Sequence, residues 1–81
     1  MTVQISFYSY FKERAGCAQV TESVASPCTL GELLDVVYRR FPELGAMRKS
    51  TLVAVGVEYQ DRNYLLRDGD EVSLFPPVQG G

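Results

Sequence analysis

The sequence predicts an α+β domain in which a mixed sheet of four or five strands packs on one main helix. Three observations carry that prediction. A single amphipathic helix pattern lies in mid-chain, short β-patterned runs precede and follow it, and 81 residues suffice for one core only. A domain of this size buries roughly 60% of its unfolded surface, so a helix with one apolar stripe needs a sheet to cover.

The first run alternates cleanly. Val3, Ile5 and Phe7 share one face and Gln4, Ser6 and Tyr8 the other, the period of a half-buried strand. Tyr10-Phe11 leads into residues 12–15, which fit a single helical turn closed by Gly16. A weaker β signal covers residues 18–24, with Val20 and Val24 inward, and Ser26-Pro27 ends it. Joined by so short a connection, the two strands most simply pair antiparallel.

Thr29-Leu30-Gly31-Glu32 has the spacing of a capping box, in which the threonine hydroxyl and the glutamate carboxylate each satisfy the other residue's backbone N–H. The helix that starts there carries Leu30, Leu33, Leu34, Val37, Tyr38 and Phe41 at i, i+3, i+4, i+7, i+8 and i+11, one continuous stripe. Such a stripe is core rather than a ligand box. Glu32 and Asp35 lie near the positive end of the helix dipole, Arg39 and Arg40 near the negative end. Pro42 ends the helix because the residue before proline is pushed out of the helical region.

Residues 44–50 carry no dominant period and fit a short surface turn. Residues 52–57 form a nearly unbroken apolar run rich in valine, the composition of a strand buried on both faces in the middle of a sheet. Residues 58–67 hold a short, weakly patterned element ending in Leu65-Leu66, and Arg67-Asp68-Gly69-Asp70 is a strong turn signal. The last strand is Glu71–Phe75. In it Val72 and Leu74 share one face while Glu71, Ser73 and Phe75 share the other, before Pro76-Pro77, which have no N–H to donate.

Strand, strand, helix, strand, short strand, strand is the order of the β-grasp (ubiquitin-like) fold. In that fold the helix covers the inner face, and the first and last strands lie adjacent and parallel near the centre. The pairing follows from the fold and not from the periodicity. The expected boundaries are residues 1–75 for the domain and 76–81 for a flexible arm ending in Gly-Gly.

Composition narrows the function. The net charge is −2 with no basic run, which disfavours nucleic acid. No apolar stretch approaches the roughly 20 residues of a membrane span, and no signal peptide precedes the first strand, so the expected compartment is the cytoplasm. Without histidine the chain lacks the usual general base and the commonest metal ligand. Cys17 and Cys28 read as free, inert thiols, and no phosphate loop is present. The chain is expected to bind no metal or cofactor alone and to have no active site of its own.

Its one reactive element is then the terminal Gly80-Gly81, behind the organised lead-in Phe75-Pro76-Pro77-Val78. Two glycines can follow a channel too narrow for side chains. The alternative is a frayed tail or a cloning scar.

The end DGDEVSLFPPVQGG, the segment FYSYFKERAG, the helix opening TLGELL and the strand LVAV together resemble the small subunit of molybdopterin synthase, the MoaD-type sulfur carriers. The resemblance spans nearly the whole chain. Terminal Gly-Gly alone is shared with the thiazole-pathway carrier ThiS, with ubiquitin-related modifiers and with ubiquitin, whereas the FPPV before it points to the molybdopterin branch. Departures are Gly56 where members usually carry asparagine, Gln79 at a variable position, and a loose match over residues 18–28.

The resemblance implies that a ubiquitin-activating-type (MoeB-like) adenylating enzyme uses ATP to convert the Gly81 carboxylate to an acyl-adenylate. A sulfur donor then displaces AMP and leaves a Gly81 thiocarboxylate. It further implies that Pro76, Pro77, Val78, Gln79 and Gly80 thread into the large synthase subunit, in a heterotetramer of two small and two large subunits, to sulfurate cyclic pyranopterin monophosphate. Tyr8, Tyr59 and Phe75, on outward faces of neighbouring strands, form the expected partner-docking patch. Three scattered surface aromatics are the alternative. Asp61, Asp68, Asp70 and Glu71 could meet a basic partner, although most of them suit turns or solvent. A ThiS-like carrier for another pathway, a ubiquitin-like modifier that forms isopeptide bonds, and a plain interaction module stay open.

Overall fold

Eight segments of regular structure, seen in a computed structural model, follow one another along residues 1–47 and 51–76, the residues that the structure describes. They are β1 (Thr2–Phe7), α1 (Tyr10–Ala15), β2 (Gln19–Ser23), α2 (Leu30–Arg40), a 3₁₀ segment (Pro42–Met47), β3 (Leu52–Val55), β4 (Glu58–Tyr59) and β5 (Glu71–Phe75). The strands make one five-stranded sheet in the order β2-β1-β5-β3-β4. β1 runs antiparallel to β2 and parallel to β5, and β3 is antiparallel to both β4 and β5. This is the β-grasp arrangement, with the first and last strands adjacent and parallel at the centre.

Strand alternation decides what is buried. Val3, Ile5 and Phe7 of β1, Val72 and Leu74 of β5, and Val53 and Val55 of β3 point to the inner face, where they meet Leu30, Leu33, Leu34, Val37 and Tyr38 of α2 in one core. α2 begins at the capping box. Glu32 N–H donates to Thr29 Oγ1 at 3.2 Å, and Thr29 N–H donates to Glu32 Oε1 at 2.9 Å. Phe41 caps the other end in a non-helical conformation ahead of Pro42, with its ring edge-on to Phe7 at 5.2 Å. Arg40 at that end forms an ion pair with Glu22 of β2. Val20 and Val24 pack on the core from the sheet edge and are only half-buried.

Several sequence expectations need correction. β3 lies between β5 and the two-residue β4, and β5 occupies the middle of the sheet. An apolar run reports burial but not which strands flank it. The run also overreaches: Gly56 turns a hairpin corner with φ 62°, and Val57 is 99% exposed. A two-residue hairpin turn asks for positive φ, which glycine and asparagine tolerate best, so Gly56 fits the corner.

At its start the expected surface turn gives way to a buried residue in 3₁₀ structure. Leu44 sits in the 3₁₀ segment at 0% exposure, its N–H donating to Phe41 O at 3.0 Å; residues 48–50 lie outside the described residues. The helical turn expected at residues 12–15 starts earlier, at Tyr10, and buries Phe11 fully. In the weak element before the last turn, Leu66 is buried, while Leu65 is exposed and bridges to Thr29. The turn ahead of β5 is tied to the start of β1. Gly69 N–H donates to Thr2 O at 2.7 Å, and Thr2 N–H donates to Asp68 Oδ1 at 2.7 Å.

Candidate functional site

The helix leaves the other face of the sheet open, and parity along the strands fills it. β-strand pairing aligns Gln19, Ser6, Ser73, Ala54 and Tyr59 in one row across all five strands. The row carries no formal charge. Its polar side chains satisfy one another, Gln19 Nε2 donating to Ser6 Oγ at 3.2 Å and Gln4 Nε2 donating to Gln19 Oε1 at 3.1 Å.

Beside this row stands an aromatic ridge. Tyr8 extends the β1–β5 ladder, its N–H donating to Leu74 O at 3.2 Å, which brings its ring over the open face beside Phe75. The Tyr8 and Phe75 rings stack at 4.7 Å with an interplanar angle of 12°. Tyr59 meets Phe75 edge-on at 6.4 Å and 68°. Both are favoured geometries for ring quadrupoles. Tyr8 is 45% exposed and Tyr59 69%, while Phe75 between them is half-buried. The structure thus brings the three aromatics into one contiguous cluster rather than scattering them. Leu52, paired with Phe75, extends the ridge along the open face. Sequence reasoning missed Leu52 because it treated residues 52–57 as one buried run; the inward parity of Val53 and Val55 carries the signal.

Phe75 is also the last residue of β5, and the chain leaves the sheet through a half-buried Pro76. Pro77, Val78, Gln79, Gly80 and Gly81 lie outside the described residues.

The acidic residues behave differently. Asp61 Oδ1 accepts from Asn63 N–H at 2.8 Å, Asp68 Oδ1 from Thr2 N–H, and Asp70 Oδ2 from Arg67 N–H at 2.8 Å and from the Tyr64 hydroxyl at 3.4 Å. Three of the four carboxylates that could have met a basic partner are therefore occupied in building turns. Glu71 is exposed on the open face, opposite Gln4.

Cys17 and Cys28 are free thiols, half-buried and buried respectively. Burial pushes the Cys28 thiol pKa up and the nearby Glu32 carboxylate adds to the effect, so its reactive thiolate is disfavoured. The backbone N–H of Thr29, and then its hydroxyl, hold Glu32 below the usual carboxylate range. Among the described residues, no group of histidine, cysteine, aspartate or glutamate could hold a metal ion, and no helix is long and apolar enough to cross a membrane. A groove lined by Thr29, Gly31, Glu32, Asp35, Arg62 and Asn63 lies on the helix side. It forms where Gly31 N–H donates to Arg62 O at 3.0 Å and a Cβ on Gly31 would come within 3.3 Å of that loop. It is separate from the aromatic ridge.

Comparison with known proteins places these features. The model of the ThiS family matches residues 5–81. The molybdopterin synthase sulfur carrier subunit of Chlamydomonas reinhardtii is 30% identical over 84 residues, covering 100% of both chains. Among solved structures, SAMP1 of Haloferax volcanii superimposes with a TM-score of 0.89 at 27% identity over 100% of both chains. A chain of the complex of subunits 1 and 2 of molybdopterin-converting factor from Helicobacter pylori superimposes with a TM-score of 0.73 at 28% identity, again over 100% of both chains.

Proposed function

The chain belongs to the ThiS family, and on that premise we propose that it is a sulfur carrier serving as the small subunit of molybdopterin synthase. The observation that supports this most directly is the position of Phe75. It is the centre of the ring cluster and also the base of the arm, so a partner that grips the open face receives the arm at the same point.

The chemistry follows from what a carboxylate can do. A Gly81 carboxylate is a poor electrophile, so an adenylating enzyme of the ubiquitin-activating (MoeB-like) type spends ATP to make the acyl-adenylate, releasing pyrophosphate. Sulfur from a donor attacks the acyl carbon and AMP leaves, giving the thiocarboxylate. That sulfur is then delivered inside the large subunit to cyclic pyranopterin monophosphate; a dithiolene needs two deliveries. Residues 76–81, fully extended, span at most about 20 Å, enough to pass from a domain surface into a neighbouring active site. Proline reduces the entropy lost on threading. The assembly takes two small and two large subunits and works in the cytoplasm. The uncharged row across the open face makes docking there depend mainly on shape and apolar contact, with the exposed Glu71 the charge on that face that salt would screen.

Intact mass after incubation with ATP, a sulfur donor and the adenylating enzyme tests the reading. One oxygen exchanged for sulfur at Gly81 supports it. An unchanged mass, under conditions that thiolate a known carrier, would sink it. A second reading, a protein modifier, is favoured by the likeness to the small archaeal modifier protein 1 of H. volcanii at 26% identity. Conjugates that survive reducing agents would select it, and transfer to the pterin precursor would select the first.

A further inference from the structure

Among the described residues Ser9 is the one non-glycine with a positive φ, at 51° with ψ −127°. Glycine enters that region freely, whereas a residue with a Cβ is strained there. The serine side chain does not compensate, because it precedes α1 without making a capping hydrogen bond and is exposed. The neighbours dictate the corner. On one side Tyr8 is bonded to Leu74 O and its ring lies flat on Phe75. On the other, Phe11 is fully buried and its N–H donates to Tyr8 O at 3.1 Å, while Lys12 N–H donates to Ser9 O at 3.0 Å. One residue has to take the chain from the sheet into α1.

We infer that Ser9 is a positioning residue for the docking surface: its restricted corner holds the Tyr8 ring against Phe75, so that the ridge is formed before a partner arrives. The inference rests on the docking reading above and deepens it. Glycine at position 9 would follow the same path without strain but would also permit others. Tyr8 would then leave Phe75 part of the time, and association would have to order it again. Stability and docking therefore move in opposite directions on Ser9→Gly, a split that a purely structural role does not produce.

The test uses the full chain and the large synthase subunit, with Kd from titration calorimetry, thermal melting, and near-UV circular dichroism, which reports tyrosine packing in a chain without tryptophan. Ser9→Gly is expected to melt higher, lose part of the tyrosine signal and bind roughly three- to tenfold more weakly. Ser9→Ala keeps the Cβ and the strain and should match the wild type in all three. If Ser9→Gly binds like the wild type while Phe75→Ala binds weakly, this inference alone is overturned. If Phe75→Ala also binds like the wild type, the docking reading itself falls. A Ser9→Gly variant less stable than the wild type by more than the roughly 0.5–1 kcal/mol that glycine's unfolded-state freedom costs shows that the corner holds no strain, which overturns the inference as well.

Discussion

Truncating Phe75 to alanine separates docking from folding. In the free domain its ring is half-buried on the open face and has two aromatic neighbours, Tyr8 at 4.7 Å and Tyr59 at 6.4 Å. Each such pair is worth about 0.5–1.5 kcal/mol, and part of the ring already faces water, so the domain should lose about 1–2 kcal/mol. That corresponds to a fall in Tm of roughly 4–8 °C per kcal/mol for a domain of this size. In the proposed complex the same ring would be the desolvated centre of the patch. Hot-spot truncations of that kind cost about 2 kcal/mol or more, which raises Kd roughly 30-fold. Leu74→Ala is the counterpart. Leu74 is buried on the opposite face of the same strand, so its truncation should cost about 2–5 kcal/mol of stability while leaving the open face intact. Calorimetric titration with the large subunit, at a temperature where dichroism shows both variants folded, gives the comparison. The expected result is a large rise in Kd for Phe75→Ala with a smaller loss of Tm than Leu74→Ala shows, and for Leu74→Ala the larger loss of Tm with Kd nearly unchanged. Unchanged affinity for Phe75→Ala refutes the reasoning, as does an equal rise in Kd for folded Leu74→Ala.

Adding residues beyond Gly81 should abolish sulfur transfer while leaving the melting temperature unchanged, because the domain does not need a free carboxylate to fold; full transfer by an extended variant refutes the assigned chemistry. Gly56→Ala should destabilise by about 1 kcal/mol because of its positive φ alone, since a Cβ there meets nothing within 4 Å. Gly56→Asn should recover part of that loss, and a denaturant titration in which the two variants are equal counts against the argument. Glu32 has a lowered pKa in the folded state, so its contribution is present above the unfolded value and is lost as pH falls through the folded one. Glutamine keeps the capping hydrogen bond but not the charge. The stability gap between wild type and Glu32→Gln should therefore shrink as pH drops below about 4.3, and a gap constant with pH would contradict the assignment.

Local patterns were legible wherever one physical rule dominated. The alternation of β1 and β5, the capping box at Thr29 and Glu32, the α2 stripe and the Asp68-Gly69 turn each satisfy a short-range requirement written within a few residues, and each appears where the sequence places it. The segments that misled did so for want of a partner. Leu44 lies in a stretch without period, and only its place in the core of the folded domain buries it. Val57 reads as the end of a strand until the β3–β4 hairpin sends it into solvent.

The chain's own residues determined the fold class, the inward faces and the absence of an imidazole, because backbone propensity, side-chain parity and composition are properties of sequence. They also pointed to the terminal glycines. Only the tertiary structure decided that β3 takes the place between β5 and β4, and hence that Tyr8, Phe75, Tyr59 and Leu52 converge at the end of β5. It likewise decided that Asp61, Asp68 and Asp70 serve turns and that Ser9 bends through a strained corner. The reason is common to all of these. Strand order and ring contacts join residues up to 67 positions apart, such as Tyr8 and Phe75, and no local pattern specifies which distant neighbour a face will meet.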